Sequence, residues 1–434
     1  MGAGDLDRTW IEDDARGFQA SRRFVNIVYV SQYYPPEMGA PAARVSAFAR
    51  RWAAMGHDVT VVTTFPNHPT GVIPPAYRGR LRMMEDDHGV RVVRTFLYAA
   101  ANKGIVKRGL CYASFALSSI LQGYGPTGRP DVVIATSPQF LVTLSGWTLS
   151  RLKGVPLVTE IRDLWPDSIV AVGAFPATSL LVRGLSVLER FVYRQSDLVI
   201  SVTRSFVPLL KERGARRVTF ISNGADPAVF AHAVDRASVR ARYGWGDRFV
   251  SSFVGTLGMA HGLDTVLDAA EILRDRKDVA FWLVGEGARR AELESEARRR
   301  RLDNVRFEGQ VPREAIPEVL AASDAAMVLL RPDPLFETVL PSKMFEAMAA
   351  ACPVILGVRG ESRDLLDESG GGIGIEPGNG AALAQAVCEL AADPAQRARR
   401  GERGRAYVTA RLSHDALARD YVLALQDLVA SSRR

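Results

Sequence analysis

A chain of 434 residues with 47% hydrophobic and 24% charged residues has the balance of a globular protein and exceeds a single core, so two domains of about 200 residues are expected. Its three cysteines, Cys111, Cys352 and Cys388, lack metal-site spacing, which argues against a disulfide framework and for reduced thiols in a cytoplasm. The formal charge of +7 is uneven, because residues 22–225 hold 25 Lys and Arg against 12 Asp and Glu; that half calls for an anionic partner such as headgroups, a pyrophosphate or nucleic acid.

Residues 1–21 are polar and acidic with no apolar core, so they read as a disordered tail and not as a signal peptide. The apolar run 24–30 fits a strand covered on both faces of a parallel sheet. A loop with Glu37 and Gly39 follows, then a helical stripe of Val45, Phe48, Ala49 and Trp52, then a second strand at 58–63. That loop lies where α/β folds hold ligands, and Gly39 either admits a close backbone approach or simply turns the chain. Residues 66–88, rich in proline, read as a long irregular insertion. Further strands are expected at 90–97, 131–136, 155–160, 197–202 and 217–222.

Two stretches of this half stand out. Residues 109–121 are too short and serine-rich to span a bilayer, and form either a core helix or an interfacial one. Lys103, Lys107 and Arg108 just before them suit a helix lying under anionic headgroups. The strand at 155–160 runs into Arg162-Asp163-Leu164-Trp165-Pro166-Asp167-Ser168, and charges so near a buried strand end are either paired with each other or used. A turn cluster at 223–227 and a polar run place the domain junction at 225–247.

The second half opens with a strand at 249–254 that passes through Gly255, Gly258 and Gly262 into a helix ending near Leu273, a phosphate-cradling layout without the dinucleotide fingerprint. Strands ending at Gly285 and Gly309 continue the alternation. The Arg298–Arg301 run ends a glutamate-rich helix and reads as dipole complement and solubility, not nucleic-acid binding. The strand 324–330 delivers Arg331 and Glu337 to the crevice. Next, Pro341-Ser342-Lys343-Met344-Phe345-Glu346 reads as a helix start with Ser342 as N-cap. Open N–H groups and Lys343 would cradle a diphosphate, while Glu346 one turn further would accept from two neighbouring hydroxyls; together they suit a nucleotide-sugar.

The string Lys343-x-x-Glu346-Ala-Met-Ala before a Pro-Val-Ile strand resembles the donor-site helix of family 4 retaining glycosyltransferases, which have the GT-B fold. The Pro-Ser-Lys form, and the Arg-Asp-x-Trp-Pro-Asp-Ser string on the acceptor side, are similar to the bacterial surface-polysaccharide branch that includes N-acetyl-L-fucosamine transferases. The resemblance implies two doubly wound Rossmann-like domains facing a central cleft: 22–225 on the acceptor side, 226–411 for the nucleotide-sugar, and a helix in 412–434 crossing back. It makes Glu346 the ribose ligand and sets Gly285 and Gly309 around the base. The first glutamate of the family's Glu-x7-Glu pair falls on Thr338, with Glu337 one position early. The family's arginine and lysine beside the first glycines fall on Thr256 and His261.

The site expected is therefore Gly258, Gly285, Gly309, Ser342, Lys343 and Glu346 for the donor. Arg331, Lys343 and Glu337 are the catalytic candidates, and Glu37, Gly39, Arg162 and Asp163 belong to the acceptor side. The activity implied is metal- and cofactor-independent transfer from a UDP-sugar of N-acetylhexosamine type to a polyprenyl-diphosphate-linked saccharide or other glycan. The protein would be cytoplasmic, against the anionic inner face of the plasma membrane, with no nucleic-acid partner. The alternatives are a nucleotide-sugar 2-epimerase of similar fold and a non-catalytic nucleotide-sugar-binding protein.

Overall fold

The computed structural model describes residues 24–37, 39–68, 70–100, 105–171, 173, 175–230 and 234–433. The tail expected over 1–21 and Lys103 lie outside them. Strands β1 (Asn26–Val30), β2 (Asp58–Thr64), β3 (Arg82–Asp87), β4 (Val90–Thr95), β5 (Val132–Thr136), β6 (Leu157–Ile161), β7 (Leu198–Ser201) and β8 (Val218–Phe220) form one sheet. Its order is β3-β4-β2-β1-β5-β6-β7-β8, and only β3 runs antiparallel to its neighbour.

Helices α1 (Ala40–Ala54), α2 (Ile105–Gly123), α3 (Leu141–Lys153), α4 (Asp167–Ala171), α5 (Leu180–Gln195) and α6 (Phe206–Glu212) cover this sheet. Side chains alternate across each strand, so Ile27 and Tyr29 of β1 pack towards α1, and Val28 and Val30 pack towards α2 and α3. The expected irregular insertion contains an edge strand instead. His88 and Gly89, at φ of 54° and 81°, close a two-residue hairpin between β3 and β4. The charged composition of β3 hid it, since edge strands keep polar side chains on their exposed positions.

The second sheet comprises β9 (Phe249–Val254), β10 (Val279–Val284), β11 (Val305–Glu308), β12 (Ala325–Leu329), β13 (Val354–Gly357) and β14 (Gly372–Gly374). All run parallel in the order β11-β10-β9-β12-β13-β14. Helices α7 (Pro227–Phe230), α8 (Arg236–Arg242), α9 (Asp264–Ile272), α10 (Arg290–Arg299) and α11 (Ile316–Ala322) accompany the strands up to β12. After it come α12 (Ser342–Ala349), α13 (Glu361–Ser369), α14 (Gly380–Ala392), α15 (Pro394–Arg411) and α16 (His414–Ser432).

The chain passes between the domains twice, and the two passages lie side by side. Ala225 donates to the Leu412 carbonyl at 3.2 Å and accepts from the His414 N–H at 3.0 Å. Gly224 permits this approach, since a Cβ there would stand 2.2 Å from the Leu412 oxygen. Beyond that point α16 returns to the first domain. Tyr421 meets Trp52 edge-on at 5.1 Å, and the Trp52 indole donates to the Ala418 carbonyl at 3.0 Å. A further tie bridges the domains: the Glu361 carboxylate at the start of α13 accepts from the N–H groups of Arg204 and Ser205 (both 2.9 Å) and from the Ser205 hydroxyl (2.7 Å). A residue of the second domain thus holds the two residues that lead into α6 of the first.

Candidate functional site

β12 hands the chain to Arg331 and a 3₁₀ turn over Pro334–Thr338, after which α12 begins. Pro341, extended at φ −66° and ψ 121°, is the N-cap, and no side chain caps the helix. Ser342 is therefore the first helical residue, not the cap expected, because the proline's fixed φ and extended ψ already mark the boundary. A helix start without a capping side chain leaves first-turn N–H groups for a ligand or water.

The Lys343 ammonium is sealed in this corner with no hydrogen-bond partner. It stands 3.9 Å above the Phe253 ring centroid, and a Cβ on Gly255 would come within 3.2 Å of its Nζ. Burial pulls its pKa down to about 7, against the opposing pull of Glu346. One turn on, Glu346 has Oε1 at 3.4 Å from Nη2 of Arg313, and burial raises its pKa while Arg313 and Lys343 oppose the rise. His261 touches the same ring edge-on at 5.3 Å, and its Nδ1 lies 3.2 Å from the Leu329 carbonyl oxygen. Burial, then the charge of Lys343, lowers its pKa to about 3, so His261 is neutral and supplies no cation. Arg331 is exposed, and among the described residues no carboxylate lies within ion-pair distance of it.

The structure brings together Lys343, Glu346 and the loop after β9, with Arg331 against Gly262 at its edge. Glu337 is turned elsewhere: Arg359 holds it at 3.5 Å, and the neighbouring Thr338 hydroxyl donates to the Leu335 carbonyl at 2.6 Å. Gly258 has an ordinary φ of −108°, and a Cβ there would make only ordinary contacts. The glycine that matters beside Lys343 is Gly255, at φ 139°. Gly285 does press against its neighbour, since a Cβ would stand 2.0 Å from the Gly255 oxygen; Gly309 leaves room for one. Arg290 ties these two strand ends by donating to the carbonyls of Gly285 and Glu308, both at 3.2 Å.

Across the cleft, Glu37 is buried and accepts from the N–H groups of Asn67 (2.8 Å) and His68 (2.9 Å), and burial lifts its pKa to about 7. Gly39 caps α1 with φ 133°. Arg162 and Asp163 do not pair with each other. The buried pair is Arg44–Glu160 at 3.0 Å, while Nε and Nη1 of Arg162 are buried without partners. Burial lowers the pKa of Arg162 and raises that of Asp163. Tyr33, Tyr112, Gln139, Asp163 and Trp165 of the first domain and Phe336 of the second line a cavity of about 350 Å³. Aromatic faces with a carboxylate and an amide are a lining that suits a sugar ring. Among the described residues no three of His, Cys, Asp and Glu stand close enough to share a metal ion.

Two family models match the chain: a glycosyl transferase 4-like domain over residues 39–224 and glycosyl transferases group 1 over residues 248–393. They fall on the two sheets and their helices. The chain belongs to the GT-B glycosyltransferases. The glycosyltransferase is 29% identical to the putative colanic acid biosynthesis glycosyl transferase WcaI of Escherichia coli K12, over 73% of this chain and 79% of that one. It is 27% identical to the probable glycosyltransferase WbjE of Pseudomonas aeruginosa, over 68% and 75%. Anabaena HepE, solved with UDP and glucose, superposes with a TM-score of 0.70 at 18% identity, covering 93% of this chain and all of that one.

Three groups at the glycosyltransferase's site escaped sequence reasoning. Gly255 was visible as a glycine ending a strand, but its positive φ was not. Phe253 looked like any core strand residue. Arg313 follows Pro312 in an ordinary loop, and nothing in the string ties it to Glu346, which is 33 positions away.

Proposed function

We propose that the chain moves a sugar from a UDP-sugar of N-acetylhexosamine type, with retained configuration and no metal, to a lipid-linked saccharide or other glycan. The observation that carries this reading is the partnerless Lys343 ammonium beside an uncapped helix start, with Glu346 one turn away. The ammonium lacks an anion, which a diphosphate supplies, and Glu346 can accept from a ribose diol. HepE, of the same fold, was solved with UDP-glucose, which supports a uridine diphosphate donor. Lys343, Arg331 and the first turn of α12 carry the leaving charge in place of a metal. Thr338 offers only a hydroxyl and Glu337 is engaged by Arg359, which favours front-face displacement. The acceptor oxygen bonds to the anomeric carbon as the bond to the diphosphate breaks, and the departing phosphate takes the acceptor's proton.

Arg162 and Asp163 are assigned to the acceptor side with the aromatic cavity, and Glu37 holds the neighbouring loop in place. The protein works in the cytoplasm at the anionic inner face of the plasma membrane, on an acceptor whose diphosphate suits the basic first half.

The test measures UDP-sugar turnover with and without glycan acceptor, and the anomeric configuration of the product by NMR. Acceptor-dependent transfer with retention supports the reading. Isomerisation without acceptor would make it an epimerase, and UDP-sugar binding without turnover a sensor. Glu346→Gln should weaken UDP by about 1–3 kcal/mol, and an unchanged affinity in calorimetry would remove the ribose assignment.

The Glu361 tie makes a separate prediction. Glu361→Ala should cost about 1.5–3 kcal/mol of stability, the scale of a hydrogen bond to a charged group. It should also loosen the cleft, giving a larger radius of gyration in X-ray scattering for the unliganded variant than for the parent. UDP-sugar should compact both; identical unliganded profiles would show that the tie does not hold the domains.

A further inference from the structure

We infer that Gln139, Ser168 and Asp163 form an acceptor-selecting site that takes an uncharged pyranose and turns away a uronate. The inference rests on the acceptor-side reading of the interdomain cavity proposed above and names the class of sugar that fits it. At about 350 Å³ the cavity lies near the lower end of the roughly 300–1,000 Å³ typical of ligand pockets, which suits a terminal ring.

Gln139 is 3% exposed and stands just ahead of α3. Its Oε1 accepts from the Val142 N–H at 2.7 Å, which fixes the amide and leaves Nε2 as the free end, a donor buried without a partner. The Ser168 hydroxyl in α4 is likewise buried and partnerless, and both residues line the same cavity. A buried polar atom without a partner costs stability, so two around one cavity point to a ligand that satisfies them. Asp163 adds an acceptor to these donors. Its N–H approaches the Ser137 Oγ at 3.5 Å, and among the described residues no hydrogen bond or ion pair reaches its carboxylate.

A fixed amide donor, a hydroxyl and a carboxylate match the neighbouring hydroxyls of a sugar. Each hydroxyl can donate to Asp163 while its oxygen accepts from Gln139 or Ser168. The rings of Trp165 and Tyr112 offer flat faces to the C–H side of the pyranose. A uronate fails on charge. Its carboxylate has no proton to give Asp163, and two carboxylates a hydrogen bond apart repel strongly where water screens little. Arg108, the cation of this lining, is exposed to solvent and donates to the Tyr112 hydroxyl at 3.3 Å, so its own pull is screened.

The second domain completes the site and joins it to the donor side. Phe336 comes from the 3₁₀ turn that leads to α12, and Ala260 from the loop after β9. The Ala260 carbonyl accepts from the Arg331 N–H at 2.9 Å, so the cavity wall is bonded to the residue offered to the leaving phosphate. A sugar held in the cavity therefore lies next to the donor site.

The test is saturation-transfer NMR on the full chain with UDP present. It sets the methyl glycosides of glucose, galactose and N-acetylglucosamine against those of glucuronic and galacturonic acid. At least one uncharged glycoside should bind, and neither uronide should. Asp163→Asn keeps the shape and replaces a charge-assisted bond with a neutral one. It should weaken the uncharged glycoside about tenfold and let the uronides bind. Gln139→Glu keeps the oxygen bonded to Val142 and loses the donor, so it should also cost about tenfold while the uronides stay excluded. Ser168→Ala, which only removes a partnerless hydroxyl, should cost about three- to tenfold. UDP affinity should be unchanged in all three variants, which shows that they are folded. A uronide bound by the parent as tightly as its uncharged counterpart would overturn the selection and leave the acceptor-side reading standing. Uncharged-glycoside binding that none of the three variants weakens would overturn the site. A parent that binds UDP but no glycoside of either kind would sink the inference and the acceptor-side reading of the cavity together. A parent that binds an uncharged glycoside but not UDP would sink the donor reading without touching the inference.

Discussion

Lys343→Met is expected to weaken UDP by one to two orders of magnitude, about 1.5–3 kcal/mol, while uridine affinity changes little. The scale is that of a hydrogen bond to a charged group. The selectivity follows from the proposed site, in which the ammonium meets the diphosphate and not the base. Binding by the parent should also depend on pH. The free site holds its lysine at a pKa of about 7, and an arriving diphosphate favours the charged form. UDP binding then takes up a proton above pH 7, so affinity falls as pH rises, by up to about tenfold per unit.

Stability has its own sign. Burial lowers the folded pKa below the unfolded one, so the unfolded chain binds more protons between about 7 and 10.5. Unliganded stability therefore rises with pH across that window, and the penalty of burying the charge is fully present only below it. Lys343→Met should be more stable than the parent near pH 7 and should lack both slopes. Calorimetry in buffers of different ionisation enthalpy measures the proton directly. A pH-independent UDP affinity in the parent would show that Lys343 is charged before the nucleotide arrives, or does not meet it.

The parallel strands were legible because a strand covered on both faces must be apolar nearly throughout, as β1, β5 and β10 are. β3 was not, because an edge strand keeps only alternate positions half-covered and Arg82, Glu85 and the two aspartates dominate its string. The helix carrying Lys343 and Glu346 was legible from its apolar face and its proline. Whether Pro341 or Ser342 caps it is a matter of one ψ angle, which composition does not encode. The same limit hid Gly255 behind Gly258, since only φ tells which glycine is needed. Ion pairing failed for a different reason. Arg162 and Asp163 read as either paired with each other or used because sequence displays only neighbours, whereas the buried pair joins residues 116 positions apart.

Glu160→Ala is expected to cost about 3–5 kcal/mol of folding stability, the usual penalty for removing one partner of a buried pair. Glu160 is fully buried and accepts from Arg44 Nε (3.0 Å), the Tyr29 hydroxyl (2.9 Å) and the Thr136 hydroxyl (2.7 Å). Burial alone would raise its pKa, but the guanidiniums of Arg44 and Arg162 with these hydrogen bonds hold it below the ordinary carboxylate value. Its stabilisation is thus present above the unfolded pKa near 4.5 and is lost as pH falls through the lower folded value. Without Glu160, the buried Arg44 has no carboxylate within ion-pair distance among the described residues, and Arg162 keeps only the weaker countercharge of Asp163. The damage should travel, because Arg44 also donates to the carbonyls of Ile221 and Ser222, and the adjoining Asn223 side chain donates to the Leu340 carbonyl at 3.1 Å, just ahead of α12. Urea midpoints should therefore fall for Glu160→Ala and for Arg44→Met alone. The double variant Arg44→Met/Glu160→Met should lose less than the sum of the two single variants, since Arg44 is then no longer stranded and only Arg162 lies without its Glu160 countercharge. If its loss equals the sum of the single variants, the two side chains act independently and the pair does not hold this corner together.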